Sequence, residues 1–143
     1  MHKIEDIYPL IKDAFLNNLT IDIPVRGTSM LPMLRTNDYV TLKKIDRPLK
    51  KGDIVFYQRD NSQFVLHRIR RVLKDNTYVI VGDHQRRVEY GITNDHLIGY
   101  VISYKKKNKT YSLNRFSYKI YKLIVRCSLI RAIFGRLYHE KKI

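Results

Sequence analysis

Val25-Arg26-Gly27-Thr28-Ser29-Met30-Leu31-Pro32-Met33-Leu34 is the stretch that decides how the rest of the chain is read. It grows out of Ile21-Asp22-Ile23-Pro24, where apolar and polar residues alternate as along a half-buried strand. Gly27 can take backbone angles closed to other residues and lets a second segment approach closely. Pro32 keeps a helix from starting smoothly. Ser29 is therefore expected on a constrained turn at a strand end. A serine held there can act as a nucleophile if a base lies in hydrogen-bond reach and donors await the oxyanion. Taken alone, Gly-Thr-Ser is an ordinary turn.

Three further stretches change that reading. Lys51-Gly52-Asp53-Ile54-Val55-Phe56, Phe64-Val65-Leu66-His67-Arg68-Ile69 and Val81-Gly82-Asp83 follow in this order. With the Ser29 turn they resemble the type I signal peptidases and their relatives, the self-cleaving SOS repressors. The order and approximate spacing match from Gly27 to about Val101. The four motifs together are a fairly specific signal, whereas each alone is weak. Bacterial signal peptidases usually carry Lys where His67 stands, and the SOS repressors also use a Lys base. His followed by Arg is similar to the endoplasmic-reticulum and archaeal branch, which uses a Ser/His pair.

The resemblance implies a mainly β fold: a signal peptidase-like coiled β-sheet catalytic core, here with an N-terminal helix and a C-terminal amphipathic helical tail. It implies that Ser29 attacks a peptide carbonyl and that His67 is the general base, with an ordinary pKa of about 6.5. An acid should orient the imidazole. Asp83 is the first candidate, Glu89 the second and Asp95, which reads as a turn cap, the third. The Ser29 backbone N–H is the first oxyanion donor. Some relatives add a hydroxyl two residues before the nucleophile, but that position is Gly27, so the second donor is a backbone N–H of the Gly27 turn or Thr28. No cofactor is implied. The partner is a peptide or preprotein substrate.

Composition bounds these readings. The 143 residues suit one folded catalytic domain, 44% hydrophobic and 29% charged. The single Cys127 excludes an internal disulfide and a multi-cysteine zinc site. His84 and His96 lack metal-ligand spacing and read as solvent-facing loop residues. No run is long enough for a membrane-spanning helix, and the N-terminus lacks the apolar core of a signal peptide. The signal peptidases normally carry an anchor there. The net charge of +15 is uneven. Residues 103–143 hold 12 of the 28 Lys and Arg and one acid, Glu140. A basic tail of this kind suits an anionic surface.

Along the chain, Ile4, Ile7, Tyr8, Ile11 and Phe15 predict a helix over about 3–17. Strands are expected over 20–25, 39–42, 54–57, 63–73, 77–81 and 97–104, with a charged hairpin tip at 105–109. Asp53 reads as a turn-forming carboxylate. In the strand at 63–73, Phe64, Leu66 and Arg68 face one side and Val65, His67 and Ile69 the other. The catalytic domain spans 1–111 and the basic amphipathic tail 112–143. In that tail Arg115, Lys119, Lys122 and Arg126 share one helical face opposite an apolar stripe. This points to peripheral binding of an anionic membrane, with a cytoplasmic location as the alternative. A non-enzymatic basic module on membrane or nucleic acid is the rival reading. Nucleic acid fits less well, because Tyr118 and Tyr121 fall within the amphipathic pattern. A self-cleaving repressor fragment ranks last, because the N-terminal helix is too short for a DNA-binding motif and no Lys base is evident.

Overall fold

The structure, a computed structural model, describes residues 3–113. The expected tail helices, with Arg115, Lys119, Lys122 and Arg126, lie outside the described residues. Helix α1 spans Ile4–Leu16. Glu5 and Asp6 occupy its first turn, where carboxylates suit the helix dipole, and Asp6 accepts a hydrogen bond from the Lys3 backbone N–H at 3.1 Å. Asn18, at φ +56°, takes the left-handed conformation that ends the helix. Ile11 is buried, and Ile4, Ile7 and Phe15 pack with it on the sheet.

Among the described residues eight strands follow: β1 (Ile21–Pro24), β2 (Tyr39–Lys43), β3 (Ile54–Gln58), β4 (Phe64–Val72), β5 (Tyr78–Val81), β6 (Glu89–Ile92), β7 (Leu97–Lys106) and β8 (Lys109–Ser112). They form one antiparallel sheet in the order β1-β2-β7-β3-β4-β5-β6, with β8 also paired to β7. The mainly β class and the N-terminal helix agree with the sequence reading. Strand β6 is an addition to it. Only four residues long and holding Gly91 at φ +73°, it offers no alternating run.

The sheet has apolar packing on both faces, which explains the unbroken apolar run of β3. Ile54 and Phe56 join Ile11, Ile23, Leu34 and Val101 in one core. Val55 and Tyr57 join Ile69, Ile80 and Tyr100 in the other. Helix α1 comes close to β7 at Gly99, where a Cβ would stand 2.8 Å from both the Lys43 carbonyl oxygen and the Phe15 ring. Strand β4 is thus held between β3 and β5, with its alternate side chains committed to opposite faces. That commitment sets where His67 points.

Candidate active site

The Ser29 turn is a loop closed at its base and pinned in its middle. Val25 N–H donates to the Asp38 carbonyl at 2.7 Å, and Asn37 N–H donates to the Val25 carbonyl at 3.1 Å. The Thr36 hydroxyl donates to the Gly27 carbonyl at 3.0 Å. Gly27 has φ +79°, the left-handed conformation expected of it. Met30, Leu31, Met33 and Leu34 are buried and anchor the loop, while Arg26, Gly27 and Thr28 are exposed. Ser29, between the two groups, is half-buried. Among the described residues none accepts a hydrogen bond from its backbone N–H.

Ser29 and His67 line the same cleft, of about 540 Å³. Its apolar walls include Val25, Met30, Phe56, Phe64 and Leu66, and Lys3, Ile4 and Glu5 of the N-terminal region close one side. Gly82, just past β5, draws the two residues together. His84 N–H donates to the Ser29 carbonyl at 2.9 Å, which holds the Ser29 turn against the chain after β5. A Cβ on Gly82 would lie 2.7 Å from the Ser29 carbonyl oxygen and 3.1 Å from His67 Nε2. The Nε2 edge of the imidazole and the Ser29 carbonyl oxygen therefore face the same space beside Gly82, and only glycine leaves room there.

The other edge of His67 points inward. Nδ1 lies 3.2 Å from the Tyr57 hydroxyl, which donates to Glu89 Oε1 at 3.0 Å. Arg59 holds the same carboxylate, with Nε donating to Oε2 at 3.0 Å and Nη2 paired to Oε1. His67 is 2% exposed. Burial lowers its pKa to about 4 against the opposing pull of Glu89. This corrects the sequence expectation of an ordinary imidazole titrating near 6.5. Burial and the neighbouring Glu89 push the Tyr57 hydroxyl well above its usual range, so it keeps its proton. Burial alone would raise Glu89, but hydrogen bonds from Arg59 and Tyr57 outweigh it and hold the carboxyl below its usual range.

Asp83 is elsewhere. Its two oxygens accept from Arg68 Nε and Nη2, each at 2.7 Å, in a buried bidentate pair. The sequence expectation that Asp83 orients His67 is thereby corrected. Neighbours on a strand face opposite sides, and Asp83 meets the side of Arg68. The carboxylate nearest Nδ1 is Glu89, the second candidate, at 3.7 Å. Asp95 is exposed in the β6–β7 turn and does not line the cleft. His96 is not solvent-facing as expected: Nδ1 accepts from Thr93 N–H at 3.0 Å, and Nε2 lies 2.8 Å from Asp60. His84 is half-buried. Asp53 does close its turn, accepting from Lys50 N–H at 2.8 Å, and it also pairs with Arg47.

Tyr57 and Arg59 are the site residues that the sequence reading missed. A signal for Tyr57 was available. Val55 pairs with His67 and Tyr57 with Val65, so Tyr57 and His67 are diagonal neighbours on one face. A buried tyrosine also needs a partner for its hydroxyl.

A family model matching residues 1–101 fixes the kinship. The chain belongs to the Peptidase S24-like family. The match covers the Ser29 turn, His67, Gly82 and Glu89, and it agrees with the resemblance drawn from the four motifs. By family this protein is a peptidase. Searches of the curated proteins and of the solved structures return no match.

Proposed function

We propose that this S24-like protein is a serine endopeptidase of signal peptidase type, cleaving a leader or signal segment from a peptide. The observation that carries the reading is the shared cleft, in which the Nε2 edge of His67 and the Ser29 carbonyl oxygen face the same space beside Gly82. Ser29 Oγ attacks the scissile carbonyl while Nε2 takes its proton. The same proton then goes to the leaving amine, and water releases the acyl group from Ser29. The Ser29 backbone N–H is the first donor to the oxyanion, and the Gly27–Thr28 turn supplies the second. The apolar walls of the cleft suit an extended apolar segment of the substrate.

The experiment is acylation by a fluorophosphonate, with mass spectrometry locating the label. Label on Ser29 is expected. Ser29→Ala should lose the label and reduce peptide cleavage by on the order of 10⁴ or more, while remaining folded. Undiminished cleavage by Ser29→Ala would end the serine reading.

A further inference from the structure

The bridge between His67 and Glu89 is a tyrosine, and it determines where the imidazole proton sits. A phenol has one proton to donate, and its oxygen can accept another. Glu89, held ionised by Arg59, can only accept. The Tyr57 proton therefore goes to Glu89 Oε1, at 3.0 Å. That leaves the Tyr57 oxygen as an acceptor facing Nδ1 at 3.2 Å. The reverse arrangement, with Tyr57 donating to Nδ1, would turn its lone pairs on the carboxylate. Direct contact between Nδ1 and Glu89, at 3.7 Å, is too long for a hydrogen bond.

We propose that Tyr57 is the positioning residue of His67: its oxygen accepts the Nδ1–H, relays Glu89 to the ring, and leaves the Nε2 lone pair toward Ser29. The catalytic meaning of this arrangement rests on the Ser/His reading above. The charged groups acting on the ring are Glu89 of β6, Arg59 just beyond β3, and Asp83 after β5. Of these, Glu89 and Arg59 belong to the bridge, and Asp83 is engaged by Arg68. When Nε2 takes the Ser29 proton, the ring becomes cationic. Its Nδ1–H then points at an oxygen already polarised by Glu89. No proton has to leave Tyr57 for this to stabilise the imidazolium.

The test uses the full chain with ¹⁵N-labelled histidine and reads the tautomer of His67 by two-bond nitrogen–proton NMR at neutral pH. The signal is assigned by its loss in His67→Gln. Wild type is expected to show the Nδ1–H form. Tyr57→Phe should lose that preference and lower kcat by on the order of 10-fold or more, within the 10²–10⁴ that general-base catalysis supplies. Glu89→Gln keeps the tyrosine and guards against a Tyr57→Phe protein that does not fold. Oε1 receives both Arg59 Nη2 and the Tyr57 hydroxyl, so the new amide's carbonyl should take that position and keep accepting from Tyr57. The Tyr57 oxygen would then still face Nδ1, and the Nδ1–H form should persist in this variant. An Nε2–H tautomer in wild type or in Glu89→Gln, or Nδ1–H retained in a folded Tyr57→Phe, overturns the inference. The readout is independent of peptidase activity. Failure of Ser29 to acylate, alongside the expected tautomers, would remove the serine reading and leave the positioning by Tyr57 intact.

Discussion

A histidine that is to accept a proton near neutral pH must be uncharged there, and for His67 burial favours that form. Desolvation lowers its pKa to about 4, so the base form persists far into the acid range. The acid limb of kcat/KM for the free protein is therefore expected near pH 4, where an exposed imidazole would place it near 6.5. A limb found between pH 6 and 7 would mean that His67 is more hydrated than its position implies. The same shift makes a stability statement. Between pH 6.5 and 4 the unfolded chain binds a proton at His67 that the folded chain does not. Its contribution is thus whole above pH 6.5 and lost as pH falls through 4, amounting to roughly 3 kcal/mol.

At the scale of elements, the site depends on strand parity. Strand β4 sends His67 to the Tyr57 face and Arg68 to the other, and the segment after β5 answers each differently. Gly82 makes room for His67, and Asp83 binds Arg68. The alternation of β4 was legible in the sequence, as were α1, the Ser29 turn and most of the strands, because apolar periodicity and turn residues are local signals. Which acid meets which strand residue was not legible. It depends on pairing registers interrupted between Ile69 and Arg71 and between Tyr78 and Ile80, and on a short β6 without a pattern of its own. The Arg68–Asp83 pair joins β4 to the end of β5, and Arg68 also donates to the Gly52 carbonyl at 3.1 Å. Asp83→Asn should leave a buried guanidinium without its counter-charge and cost about 3–5 kcal/mol of stability. We expect a clear fall in Tm, with fluorophosphonate labelling of Ser29 largely kept in the folded fraction. An unchanged Tm with labelling abolished would return Asp83 to the role of orienting acid.

On the scale of the whole molecule, charge is distributed against function. The sheet balances much of its own: Lys105 pairs with Asp22, Lys106 with Asp38 and Lys43 with Asp46. Residues 112–143 are different, with eight Lys and Arg against Glu140 alone. No described helix is long and apolar enough to cross a membrane. Our proposal for the tail is a basic amphipathic face, Arg115, Lys119, Lys122 and Arg126, resting on an anionic leaflet and bringing the cleft to membrane-borne substrates. Each basic residue near such a surface contributes about 1 kcal/mol, and the attraction fades within a Debye length. The measurement is co-sedimentation of the full chain with phosphatidylserine-containing vesicles, beside a variant with those four residues changed to Gln. Wild type should bind at low salt and dissociate as salt rises, while the variant should lose most of the binding. Peptide cleavage in solution should be the same for both, because the catalytic cleft lies within residues 3–85. Equal sedimentation of the two proteins, or none by the wild type, would leave these four residues with no membrane role.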